Sequence, residues 1–142
     1  MFDITFVSDA PEEQPDGWVG LWGSVQLGAY AEDFLAPLGP WQRADYERQW
    51  IDAAQRLVSP AARAAFFTAA FQFWWVMWRE GKTVIVQEQL LIPERLEGLT
   101  DWQAAPYQLI WERQATSGDG TPISEWRLGV ADIEGFLARR GG

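Results

Sequence analysis

A chain of 142 residues, 48% hydrophobic and 15% aromatic, is long enough for one domain that buries about two-thirds of its unfolded surface, and it lies far from the disordered regime. It contains no histidine and no cysteine, which excludes imidazole acid–base catalysis, Ser-His-Asp and Cys-His nucleophiles, disulfides, and the usual zinc and haem ligand sets. Of the net charge of −9, residues 1–42 supply seven acids and no Lys or Arg, a field that repels nucleic acid and anionic membrane and attracts a basic protein.

The first residues, MFDITFVSDAPEEQPDG, lack the basic and apolar regions of a signal peptide, so a cytoplasmic location is expected. Phe2, Ile4 and Phe6 alternate with Asp3 and Thr5, which predicts a short half-buried strand. Residues 8–17 hold two prolines and four acids and read as an exposed loop. Residues 18–28, WVGLWGSVQLG, read as a second strand, with Gly20 and Gly23 marking a bulge or a close approach. Their spacing matches neither GxxxxGK[ST] nor GxGxxG, so no phosphate loop is implied. Residues 30–38 read as an acidic connection ending near Pro37, Gly39 and Pro40.

A long helix is predicted over residues 41–58, with Pro40 at its first turn and Ser59-Pro60 at its end. Tyr46, Trp50, Ala53 and Leu57 form one apolar stripe, and Asp52 and Arg56 an i,i+4 ion pair. Residues 61–70 suit either a helix or a strand; their aromatic residues favour a strand leading into an aromatic hairpin. Residues 64–92 are the aromatic centre of the chain, holding Phe66, Phe67, Phe71, Phe73, Trp74, Trp75 and Trp78. The 64–78 stretch is too short to span a bilayer, for which about 20 apolar residues are needed. Two antiparallel strands, 71–79 and 83–92, are predicted around a turn at Glu80-Gly81 or Gly81-Lys82. Either turn puts Phe71, Phe73, Trp75, Met77, Val84, Val86, Glu88 and Leu90 on a core face. Gln72, Trp74, Val76, Trp78, Ile85, Gln87, Gln89 and Leu91 then share a half-polar face that is thinly covered or a contact surface.

Residues 93–106 read as irregular with one helical turn. A hairpin is expected from strands 107–116 and 123–130 around Gly118-Asp119-Gly120, followed by a short helix over 131–139 that packs Ile133, Phe136 and Leu137. The expected fold is α+β, one domain over residues 1–142: an antiparallel sheet, one long helix packed on a face, and a short C-terminal helix.

Carboxylate chemistry is what remains to such a sequence. Glu88, on the core face of the central hairpin, is the candidate for a buried carboxyl with Arg79 or Arg95 as partner, the alternative being a structural ion pair. No spacing predicts the paired carboxylates of a glycosidase, and residues 9–16 do not match the EF-hand pattern. No metal, no cofactor and no catalysis are expected. The chain reads as a binder.

Several patterns, none catalytic, occur in order along the chain: DGW-G-LWG-V-LG from Asp16 to Gly28, F-APL-W-DYE-QW from Phe34 to Trp50, and WW-M from Trp74 to Met77. VQEQLL from Val86 to Leu91 and SGDG-ISEW from Ser117 to Trp126, with DI--FL after it, complete the set. Together they resemble the immunity proteins of bacterial contact-dependent growth inhibition systems. That resemblance implies a small cytoplasmic protein that binds the toxic C-terminal domain of a delivered effector and blocks it, as a monomer in a one-to-one complex. Many such toxins are nucleases and therefore basic. Contact residues differ between cognate pairs, so none is transferred by motif. Charge and exposure instead select Glu12, Glu13, Asp16, Glu32 and Asp33 as the toxin-binding candidates. Trp74, Trp78, Gln87 and Gln89 form the alternative contact face. Two other functions stay open: a carboxylate-dependent hydrolase centred on Glu88, and a ligand-binding or scaffold protein using the Trp74/Trp78 face.

Overall fold

Two antiparallel sheets and two helices enclose one aromatic core in the computed structural model, which describes residues 1–39, 41–59, 63–68, 73–90, 110, 113–116 and 118–141. The first sheet is built on β3 (Val19–Leu27). One edge of β3 takes β1 (Phe2–Phe6) and the two-residue β2 (Glu12–Glu13); the other pairs along its length with β4 (Tyr30–Leu38). Residues 30–38 are therefore a strand, not the connection their acids and proline suggest. Leu27 pairs with Tyr30, so Gly28 and Ala29 form a two-residue loop, with Gly28 in the left-handed region at φ 65°. Pro37 is tolerated because it lies on an edge strand; its carbonyl accepts the Tyr46 hydroxyl at 2.7 Å.

Period-2 alternation fixes the faces of this sheet. Phe2, Ile4, Phe6, Leu21, Val25, Leu27 and Ala36 point inward and are buried. Gly23, opposite Phe34, is the close approach expected of a strand glycine: a Cβ there would lie 2.4 Å from the Phe34 ring.

The second sheet runs in the order β5 (Arg63–Phe67), β6 (Phe73–Glu80), β7 (Thr83–Leu90), β8 (Trp126–Gly129). The central hairpin turns at Gly81-Lys82, with Gly81 at φ 61° and Glu80 paired to Thr83. Its register puts Trp75, Met77, Val84 and Val86 on one face, as predicted. β8 pairs with β7; of the expected hairpin, the described residues show an isolated bridge between Thr116 and Pro122. Phe71, Gln72, Leu91, Ile92, residues 107–109, 111, 112 and 117, and the turn expected within 93–106 lie outside the described residues.

Helix α1 (Arg43–Val58) starts two residues later than predicted, where Asp45 accepts the Gln42 backbone N–H at 2.8 Å. Its stripe is buried as expected: Tyr46, Trp50, Ala53 and Leu57. Trp50 packs against Phe6 and Phe34 on the inner face of the first sheet, with ring centroids 5.0 and 5.9 Å away. On its other side α1 meets β5, the edge strand of the second sheet. The Gln49 side chain donates to the Ala65 carbonyl at 2.7 Å and accepts the Phe67 N–H at 3.0 Å, while the Trp50 indole N–H donates to the Phe67 carbonyl at 2.7 Å. These bonds satisfy the strand groups that face away from β6.

Helix α2 (Val130–Arg140) buries Ile133 and Phe136 and joins the sheets, Phe2 meeting Phe66 and Phe136 edge-on at 5.2 and 5.1 Å. Its basic end is tied to β1: Arg139 donates to the Phe2 carbonyl at 2.6 Å and Arg140 pairs with Asp3 at 2.8 Å. Among the described residues no helix is long and apolar enough to cross a membrane.

Candidate protein-binding surface

The five selected acids do not converge on one point. Glu12 and Glu13 form β2, and Asp16 lies in the turn to β3, closed by the Gln14 N–H on the Trp18 carbonyl at 2.7 Å and by Gly17 at φ 92°. All three are exposed. Asp33 is exposed on β4, opposite Ser24. The register sets Glu12, paired with Gly20, and Asp33 on the outer face of the first sheet. Glu32 belongs to the inner face, opposite Val25, and is half-buried.

At the Glu32 end of the inner face the two sheets meet. Tyr30 packs on Trp126 with ring centroids 4.9 Å apart, and Trp126 meets Trp75 edge-on at 5.4 Å. Partial burial, and then the charges of Glu32 and Glu88, raise the pKa of the Tyr30 hydroxyl. Partial desolvation, and then the charge of Glu32, likewise raise that of Glu88.

The core position expected for Glu88 is not observed. Glu88 lies on the Trp75 face but is exposed. Arg79 is engaged elsewhere: it donates to the Leu57 carbonyl at 2.8 Å and to the Gly81 carbonyl at 2.9 Å, satisfying the end of α1 and the turn. Arg95 lies outside the described residues. Among the described residues no three His, Cys, Asp or Glu side chains gather as metal ligands do.

The alternative face is closed to solvent over most of its area. Trp74 and Trp78 are 3% and 6% exposed and Gln87 1%, with Gln89 half-buried. Trp74 stacks on Phe67 at 5.5 Å. The Gln87 amide donates to the Gln114 carbonyl at 2.9 Å and to Glu125 at 2.8 Å, and accepts from Gln89 at 3.0 Å. Arg113 forks onto Glu125 at 2.7 and 2.8 Å, and this charge-assisted pair lowers the pKa of Glu125. The half-polar pattern is thus a satisfied interior network.

Sequence reasoning placed residues 18–28 in a strand but did not identify its exposed indoles. Trp22 is 40% exposed and Trp18 38%. The Trp22 indole N–H donates to the Glu12 carboxylate at 2.7 Å. Trp18 and Leu35 close over Gly20, where a Cβ would lie 2.9 and 2.7 Å from them. The signal was present as an alternation: Val19, Leu21, Val25 and Leu27 against Trp18, Trp22, Ser24 and Gln26.

The model of the CdiI N-terminal domain matches residues 36–136. The chain belongs to this family. The immunity protein CdiI of Enterobacter cloacae subsp. cloacae is 25% identical over 120 residues, covering 80% of this chain and 81% of that one. Among solved structures, a chain of the CdiA-CT/CdiI toxin and immunity complex from Enterobacter cloacae superposes with a TM-score of 0.87 at 24% identity, covering 99% of both chains. The similarity of fold therefore extends to β1–β3, ahead of the matched stretch. All five selected acids and both exposed indoles precede residue 36.

Proposed function

We propose that this chain is an immunity protein that binds the toxic C-terminal domain of its cognate contact-dependent growth inhibition effector and neutralises it. Membership of the CdiI N-terminal domain family carries this reading, supported by the relative named as an immunity protein and by the similar chain in a toxin–immunity complex. The protein acts by stoichiometric binding rather than catalysis, in the cytoplasm, as a monomer facing one toxin domain. A basic partner fits the acidity of residues 1–42, and a nuclease domain is basic where it holds phosphates. Carboxylates presented to such a cleft supply the charges a phosphodiester otherwise brings.

Glu12, Glu13, Asp16, Glu32 and Asp33 steer that encounter. Steering appears mainly in the association rate and weakens with salt. Replacing these acids by Gln or Ser should slow association markedly at low salt, with little change in melting temperature; equal rates and equal salt dependence in parent and variant would refute the steering role. The function itself is tested by producing the toxin domain encoded directly upstream, with and without this chain. Growth should be arrested without it and restored with it, and the two should co-purify one to one. Arrest that persists despite full expression of this chain overturns the reading.

A further inference from the structure

The outer face of the first sheet is aromatic and acidic at once, and we propose that this face is the docking surface, with Trp22 as the anchor on which an Arg or Lys side chain of the toxin domain is laid. This deepens the immunity reading and rests on it.

The geometry favours such an anchor in three ways. First, the indole is held before any partner arrives. The hydrogen bond to Glu12 fixes the ring and satisfies its one polar atom, so covering it strands no donor and orders little further. Second, Trp22 stands on the central strand of a sheet whose inner face packs Phe2, Ile4, Phe6, Leu21, Val25 and Leu27 into the core, and Trp18 and Leu35 extend its apolar surface over Gly20. The patch is shaped by backbone pairing rather than by a loop. Third, the charges around it are of one sign. Glu12 and Asp33 lie on the same face, Asp16 sits in the turn from β2 to β3, and Glu13, of opposite parity, is exposed at the sheet's edge. The arginines that approach this sheet are held by other acids: Arg43 by Asp9 at 3.3 Å and Arg140 by Asp3 at 2.8 Å.

These charges select the occupant. A second copy would bring the same acids against this face, and nucleic acid or an anionic bilayer would be repelled. A cationic side chain gains twice, from the indole π-face and from the Glu12 carboxylate at its edge. Tryptophan surrounded by residues that exclude water is also the common form of an interface hot spot.

The test uses the full chain and the toxin domain encoded with it, with binding kinetics and hydroxyl-radical footprinting read by mass spectrometry. Trp22→Ala should weaken binding about 30-fold or more, the loss expected at a hot spot, chiefly through faster dissociation. Trp22→Phe keeps a ring but loses the indole N–H bonded to Glu12, and should fall between the two. Oxidation of Trp18 and Trp22 in the parent should drop when the toxin domain is added, an observation that needs no substitution. If the parent binds but Trp22→Ala binds within about threefold of it, and the two indoles stay unprotected, the docking surface is wrong and the immunity function stands. If the parent does not bind the toxin domain, both fall together.

Discussion

The β3–β4 and β6–β7 hairpins share a plan and differ in their surroundings. Each turns through a two-residue loop opened by a glycine in the left-handed region, and each carries tryptophan: Trp22 on β3, and Trp74, Trp75 and Trp78 on β6. In β6–β7 both faces are buried, so Trp74, Trp75 and Trp78 are all interior. In β3–β4 one face joins the core, while the other leaves Trp22 40% exposed beside Glu12. Tryptophan content therefore does not separate scaffold from surface. What separates them is whether the chain returns to cover the far face. Ile110, the Gln114 carbonyl and Glu125 do so for the second sheet, while Trp18 and Trp22 keep the outer face of the first partly open to solvent.

Substitutions can break or sharpen this contrast. The largest expected effect is at Trp50, which is 2% exposed and bridges the sheets. Trp50→Ala should cost about 3–5 kcal/mol in urea unfolding, and a loss below ~1 kcal/mol would place the residue outside the core. Gln49→Ala leaves the Ala65 carbonyl and Phe67 N–H without their side-chain partner, and should cost about 2–4 kcal/mol by the same measurement. Gly23→Ala drives a methyl into the Phe34 ring and should cost about 1–3 kcal/mol, making the inner face of the first sheet as intolerant as the second sheet. Trp22→Ala, by contrast, should change stability by about 1 kcal/mol or less while weakening toxin binding. A large stability loss there would erase the distinction between the two hairpins.

Two carboxyl groups should respond to pH with opposite signs. The folded pKa of Glu125 is depressed by Arg113, so its contribution is present above the unfolded value and is lost as pH falls through the folded one. Glu125→Gln should therefore lower the melting temperature at neutral pH and have less effect in acid. The folded pKa of Glu88 is raised, so stability declines as pH rises from its ordinary value through the folded one. Glu88→Gln should raise the melting temperature slightly at neutral pH and leave it unchanged in acid, the smallest effect of the set. Thermal unfolding across that range checks both, and matching signs would contradict the local electrostatics described here.

Much of the fold was legible because local periodicity is what formed it. The Phe2-Ile4-Phe6 alternation, the Tyr46-Trp50-Ala53-Leu57 stripe and the Gly81 turn each specify their element without distant help. β4 was not legible, since Glu32, Asp33 and Pro37 weaken a strand pattern that only pairing with β3 restores. Nor was the burial of Gln87, because the groups that satisfy it arrive from residues 114 and 125. Exposure at Glu88 was hidden for a related reason: parity gives a residue's face, not how far packing extends along it. At the candidate surface, the acids could be chosen from charge alone, but their division between two faces needed the register, and the indole among them needed Glu12 in place.

Gln49 also guards against misassembly. An edge strand presents a row of donors and acceptors that any extended chain can extend, its own copies included. Strand β5, with Ala64, Ala65, Phe66 and Phe67 in sequence, would be an adhesive template if its outward groups were bare. The Gln49 amide, with the Trp50 indole N–H on the Phe67 carbonyl, imitates a neighbouring strand at Ala65 and Phe67 and occupies that template from within. Gln49→Glu, which turns the donor facing the Ala65 carbonyl into an acceptor, should therefore do more than loosen the core. It should leave the Ala65 carbonyl facing a like-signed group and weaken the seal α1 places on this edge, read as a lower melting temperature and increased light scattering on heating.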